Sequence, residues 1–287
     1  MKTVYLNPEN LQRYQQQAGP CVIALGFFDG VHKGHQQVIQ AARNVAREKG
    51  VSLAVMSFFP HPKEVLTNGS QQVDYLMPVK EKQRIFKELG VDIAYIVEFN
   101  SSFSALSPEQ FVQKYLLGLG AIHAVAGFDF TYGCRGAGNM KRMKEDSGGL
   151  LEVTQIEKIA ADNEKISSTL IRKTIRAGEM DKIPTYLGEY YSIKGQMLLK
   201  KHTAAVQVEP YYLLPAPGVY EVRIKSRFDY KQAEVIVTEE PGLIYLPSLN
   251  KREVSRYRYV TVEWKRCLSK GLSSRYYYAS EKALSTG

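Results

Sequence analysis

The hydrophobic rhythm of the chain changes once. Up to about residue 186, apolar runs of strand length alternate with segments of helical spacing. CVIALGFF (21–28) is such a run, of the kind a parallel strand buried on both faces requires. HQQVIQAARNVAREKG (35–50) follows, with Val38, Ala41, Ala42, Val45 and Ala46 at helical spacing and Gly50 placed as a C-cap. VSLAVMSFF (51–59), VDIAYIVEF (91–99), AIHAVAGFDF (121–130) and LLEVTQIEKIA (150–160) predict further strands. VKEKQRIFKELG (79–90) reads as a helix with Ile85, Phe86 and Leu89 inward. SPEQFVQKYLLGLG (107–120) reads as another, with Ser107 as N-cap and Pro108 at the first helical position. This alternation predicts an α/β unit with a doubly wound, mostly parallel sheet. Ligands of such sheets sit outside the carboxyl ends of the strands.

After residue 186 helical periodicity fades. YSIKGQMLL (191–199), AAVQVEPYY (204–212), GVYEVRIKS (218–226), AEVIVTEE (233–240), LIYLP (243–247) and YRYVTVEW (257–264) are strand-like, and turn residues such as PAPG (215–218) and PG (241–242) separate them. The pattern predicts a small antiparallel β-barrel. Two domains follow, residues 1–186 and 187–287.

Composition narrows the class. Apolar residues make up 44% and charged residues 23% of the 287, as in ordinary soluble proteins. No apolar run approaches the ~20 residues of a membrane span. MKTVYLNPENLQRYQQQ has no apolar core segment and so does not resemble a secretory signal. Cys21, Cys134 and Cys267 are far apart and odd in number, which suggests neither a disulfide framework nor a zinc site. The expected compartment is a reducing cytoplasm. The net charge is +9, with 16 Lys and Arg against 10 Asp and Glu after residue 186 and 22 against 19 before it. The charge is diffuse, with no basic block longer than two residues, so solvated surface or an anionic small molecule is expected rather than nucleic acid. Nothing in the pattern fixes an oligomeric state.

The chemistry concentrates in GFFDGVHKGHQQVI (26–39), where an apolar strand gives way to a helix. A helix starting near Gly34 aims free N–H groups and the positive end of its dipole at the loop, and both attract phosphate. Gly34 permits close approach of a ligand to the backbone. His32 and His35 are placed to donate hydrogen bonds where negative charge builds during phosphoryl displacement. GFFDGVHKGH resembles the G-x-FDG-x-H-x-GH signature of the bacterial FAD synthetases, members of the nucleotidyltransferase superfamily. SFFPHP (57–62) resembles that family's T-F-x-PHP segment, GFDFTYGCRGAG (127–138) its glycine-rich loop, and KISSTLIR (165–172) its I-S-S-T-x-I-R motif. LSPEQFV (106–112) is also similar, and the motifs come in the family's order.

The resemblance implies a Rossmann-like nucleotidyltransferase domain and the reaction FMN + ATP → FAD + pyrophosphate. Positioning and charge stabilisation would carry catalysis, without a covalent enzyme intermediate. It implies catalytic roles for His32, His35 and Arg172. It implies ATP contacts at Gly26, Phe27, Phe28, Asp29, Gly30, Gly34, His61, Ser167, Ser168 and Thr169. Flavin contacts are implied at Phe59, Phe128, Asp129, Phe130 and Arg135. Mg²⁺ would bridge phosphate oxygens of ATP, and no dedicated protein cage for it is visible. From the residues alone, Ser167 or Ser168 is an N-cap for the helix through Ile171 and Ile175.

Most relatives in this family are bifunctional, with a riboflavin kinase barrel after the first domain. The resemblance weakens there. GQMLLKKHTAAVQVEPYYLLPAPGVY (195–220) contains neither the kinase's G-R-x-L-G nor its P-T-A-N, and no glycine lies between Gly195 and Gly218. Glu253 and Glu263 lack the E-x-H-x-F-D setting of the kinase glutamate. The expectation is a barrel without kinase chemistry and a single activity, FAD synthesis from FMN. The alternatives are a bifunctional enzyme and a flavin- or nucleotide-binding regulator without turnover.

Overall fold

The computed structural model describes residues 1–161, 164–200, 203–227 and 229–271; the segment 272–287, the end of the predicted second domain, lies outside them. The chain divides into two compact units, Met1–Val73 with Pro78–Ile166, and Asp74–Met77 with the chain from Ser167 onward.

The first unit is built on a six-stranded parallel sheet of β1 (Lys2–Leu6), β2 (Cys21–Leu25), β3 (Ser52–Phe59), β4 (Ile93–Glu98), β5 (Ala121–Gly127) and β6 (Glu152–Ile156), in the order β1-β4-β3-β2-β5-β6. Every pairing is parallel. All five residues of β2 are buried, as its unbroken apolar run predicts. The chain leaves β2 for β3 on one side and later returns to β5 on the other. The carboxyl end of β2 is therefore the topological switch point, where open α/β sheets bind ligands. Helix Lys33–Lys49, here α1, buries Val38, Ile39, Ala42 and Ala46 and stops at Gly50, whose φ of 65° is left-handed.

Local readings differ at several points. β1 was not expected from the sequence; it is an edge strand that pairs only with β4, some ninety residues away, and it buries one face. The predicted helix 107–120 starts with the expected N-cap Ser107, which the structure shows in a capping box with Gln110, but only Pro108–Phe111 is α-helical. Val112–Leu116 widens to a π turn and Leu117–Leu119 tightens to a 3₁₀ turn. This change of pitch keeps Val112, Tyr115, Leu116 and Leu119 all in the core. The strand predicted over 121–130 stops at Gly127, and that over 150–160 spans only Glu152–Ile156.

The second unit contains a closed barrel of β7 (Ser192–Lys200), β8 (Thr203–Val208), β9 (Gly218–Lys225), β10 (Tyr230–Val237), β11 (Leu243–Leu246) and β12 (Tyr259–Lys270), ordered β7-β8-β11-β10-β9-β12. Each predicted segment supplies one strand, although the 204–212 segment ends as strand at Val208, before Pro210. Trp264 and Tyr220 meet edge to face in the interior, with centroids 5.4 Å apart. A short helix, Lys251–Arg256, stands between the last two strands. Helix Ser168–Arg176, here α2, also belongs to this unit.

Candidate active site

Beyond Leu25 the chain turns through Gly26–Val31 into α1. Phe28, Gly30 and Val31 all have left-handed φ, at 53°, 77° and 39°. For the β-branched Val31 this is a true outlier. Non-glycine residues held there cost roughly 1–3 kcal/mol each and persist only where the surroundings enforce them. The enforcement is visible. The Phe28 ring is buried, edge-on to Phe86 at 5.7 Å and to His35 at 5.2 Å. A Cβ on Gly26 would stand 3.0 Å from that same ring. Phe28 and Asp29 thus form the floor of the loop, with Gly30 buried beside them.

His32 is the N-cap of α1. Its Nδ1 accepts the His35 backbone N–H at 3.3 Å, which puts the ring proton on Nε2. The two imidazoles stack, 3.6 Å between centroids and 17° from parallel. A Cβ on Gly34 would lie 3.2 Å from the His32 ring, so the glycine makes room for the stack. Burial lowers the His32 pKa to about 4, helped by Lys165 and opposed by Asp129. Burial lowers His35 well below the ordinary value too, followed by the charges of His32, Lys82 and Lys165. His35 Nδ1 is buried and has no hydrogen-bond partner among the described residues. At neutral pH the pair is therefore uncharged and serves as a hydrogen-bond donor rather than a fixed cation.

The surroundings are aromatic and basic. Phe27 meets His61 edge to face at 4.4 Å. His61 caps the short helix Pro62–Leu66, its Nδ1 accepting the Lys63 N–H at 3.1 Å. Two buried side chains donate to the Phe27 carbonyl, Ser57 Oγ at 2.8 Å and Lys82 Nζ at 3.0 Å. Asp129 pairs with Lys165, whose ammonium stands 4.6 Å from the centre of the Phe128 ring.

The structure thus brings Gly26–Gly30, His32, Gly34, His35 and His61 together, with Asp129 within electrostatic reach of His32. Phe59 ends β3 and is exposed, as is Phe128, whereas Phe130 packs on Tyr132 at the core edge. Arg135 is exposed in a turn with φ 55°. Ser167, Ser168, Thr169 and Arg172 form their own group in the second unit. Ser167 Oγ accepts the Leu170 N–H as N-cap, and Arg172 Nε donates to the Asp74 carbonyl at 2.8 Å. Sequence reading missed Lys82, Ser57 and Lys165. The signal for Lys82 was present, because it shares one helical face with Ile85 and Phe86.

The FAD synthetase family profile matches residues 14–170, more than half of the chain. A bifunctional riboflavin kinase/FMN adenylyltransferase of Bacillus subtilis is 41% identical over 232 residues, covering 78% of this chain and 73% of the relative. A protein of the same description from Listeria monocytogenes is 43% identical over 234 residues, covering 78% and 74%. Another from that organism, described as an FAD synthetase, is 32% identical over 205 residues, covering 70% and 80%. Among solved structures, one described as a macrolide-efflux protein from Streptococcus pneumoniae matches with a TM-score of 0.79 at 26% identity, covering 93% of this chain and all of that one. No helix among the described residues is long and apolar enough to cross a membrane. With the motif order, the switch-point histidines and these matches in agreement, the chain belongs to the FAD synthetase family.

Proposed function

We propose that the protein transfers AMP from ATP to FMN, giving FAD and pyrophosphate, and that this is its single activity. The observation that carries the reading is the stacked His32–His35 pair at the N-terminus of α1, at the switch point of the sheet. In the reaction an oxygen of the FMN phosphate forms a bond to the α-phosphorus of ATP. The bond from that phosphorus to the bridging oxygen breaks, and its electron pair leaves with pyrophosphate. The histidines donate hydrogen bonds to the phosphates as charge develops, alongside the free N–H groups of the first turn of α1. Because the pair starts neutral in a crowded site, an arriving triphosphate raises its proton affinity and the donors strengthen.

In this reading His61, Gly26, Phe27, Phe28, Asp29, Gly30 and Gly34 shape the nucleotide site. The buried Phe28 and Asp29 act through the loop they hold. Ser167, Ser168 and Thr169 offer hydroxyls and a helix N-terminus to phosphate, and Arg172 offers guanidinium N–H groups. Phe59, Phe128, Asp129, Phe130 and Arg135 serve the flavin. Among the described residues no group of three or more His, Cys, Asp or Glu is placed to hold a metal ion. In this reading Mg²⁺ accompanies the triphosphate as part of the substrate. The adenylyl-transfer domain is residues 1–186. Its compartment is the cytoplasm, in keeping with three free cysteines.

The barrel supports a single activity. β7 and β8 pair as far as Lys200 with Thr203. Ala204, Ala205 and Val206 are fully buried. Glu253 serves a capping box and pairs with Lys231. Glu263 is surrounded by Arg223, Lys225 and Lys265. Neither carboxylate is in the setting of a base. The test supplies ATP and Mg²⁺ with FMN in one reaction and riboflavin in another, and separates the flavins by chromatography. FAD from FMN alone is expected. FMN or FAD from riboflavin would establish the bifunctional alternative, and binding without product would establish a regulator.

A further inference from the structure

Helix Val79–Glu88, here α3, places a lysine on its buried face. Lys82 lies in line with Ile85 and Phe86 and is 1% exposed. An ammonium taken out of water costs several kcal/mol unless its protons are engaged. Lys82 Nζ donates to the Phe27 carbonyl at 3.0 Å and stands 4.4 Å from the centre of the Phe27 ring. Ser57 Oγ donates to the same carbonyl, so one backbone oxygen takes two buried donors. That oxygen sits where the backbone is most constrained. The next residue, Phe28, is left-handed and supports His35 with its ring, and the Phe27 ring supports His61.

We propose that Lys82 is a positioning residue for adenylyl transfer, clamping the Phe27 carbonyl and through it the loop that sets His35 and His61 around the nucleotide. This rests on the FMN adenylyltransferase reading above. An aliphatic residue would satisfy the apolar face of α3, and Ser57 alone would satisfy the carbonyl. What only the lysine adds is a charge inside the wall of the site. That charge faces His35 from α3, while His32 faces it from the start of α1 and Lys165 from the segment just before α2. Asp129, from the turn after β5, acts on His32 with the opposite sign.

The test uses the full-length protein and the variants Lys82→Gln, Lys82→Met and Ser57→Ala. Far-UV circular dichroism checks the fold, chromatography gives kcat/KM for FAD formation from FMN across pH, and NMR follows the His35 imidazole titration. Both Lys82 variants are expected to lose on the order of 10–10² in kcat/KM and to shift the His35 titration to higher pH. Ser57→Ala removes a donor without removing charge and leaves that titration in place. A folded Lys82→Gln protein with wild-type kcat/KM and titration overturns the proposal. So does loss of fold in both Lys82 variants, which would make the lysine structural. If the wild type forms no FAD, the activity reading fails on its own, and the titration still decides whether Lys82 governs His35.

Discussion

His32 holds two positions at once, and two substitutions separate them. As N-cap of α1 it accepts the His35 N–H, and as a buried imidazole it stacks on His35 and keeps its proton on Nε2. His32→Ala removes cap and imidazole together. His32→Asn removes the imidazole but restores a strong capping acceptor. Both lose the buried ring, so the stability difference between them isolates the cap, about 1 kcal/mol. In a cooperative unit of this size that corresponds to a difference of about 2–4 °C in Tm. Turnover follows the other role. Loss of one donor to developing negative charge costs about 10²–10³ in kcat, and a capping amide does not replace an Nε2–H at its own position. The expected pattern is an asparagine variant more stable than the alanine variant, with both slow. Thermal unfolding and chromatographic measurement of FAD from FMN and ATP, on the same preparations, read the two roles. An asparagine variant that regains wild-type turnover would refute the reasoning, because it would reduce His32 to a cap. Equal stability of the two variants would refute the capping account.

Acid should weaken the fold. His32 titrates at about 4 when folded, against an ordinary 6.5. Between those values the unfolded chain binds a proton that the folded one refuses, so stability is present above 6.5 and is lost as pH falls towards 4. The single group accounts for about 2 kcal/mol between pH 7 and pH 5, and His35 adds in the same direction. Urea unfolding at the two pH values should show a loss that shrinks in His32→Asn; equal slopes for wild type and variant would contradict it. In the barrel, burial alone would raise the Glu263 pKa, but hydrogen bonds from Lys225 and Lys265 outweigh it and hold the carboxylate ionised. Glu263→Gln leaves three cations without their shared anion and should cost ~2 kcal/mol, read as a lower urea midpoint. An unchanged midpoint would show that the cluster is solvated charge.

The parts of the fold that could be read from the sequence are those whose burial has a local signature. The β2 run is apolar throughout because both faces are covered, and the α1 stripe ends at a glycine that is left-handed in the structure. Ser107 caps where its spacing placed it, and of the two serines the spacing offered for α2, Ser167 is the cap. β1 escaped because an edge strand has only one buried face and finds its partner far along the chain. The π turn at Val112–Leu116 escaped because helical spacing does not reveal a local change of pitch. The histidines were visible through their glycine-rich setting. Lys82 went unread although it shares a helical face with Ile85 and Phe86, because a lysine on an amphipathic helix is ordinarily assigned to solvent; its contact with the Phe27 carbonyl shows that it is buried there for a reason. Lys165 belongs to a motif whose hydroxyls drew attention away from its first residue.

The four residues 74–77 have a consequence for how the gene can shorten. They lie within the first two fifths of the chain but count with the second unit. The Tyr75 N–H donates to the Tyr211 carbonyl, and Asp74 pairs with Arg176. A stop codon at the end of the first predicted domain would remove Tyr211 and leave that amide without its acceptor. The second unit is thus protected from deletion whatever reaction its barrel performs, because an early stretch of the chain depends on it for backbone partners. Genes of this architecture are expected to keep the whole polypeptide, because truncation would strip residues 74–77 of their partners.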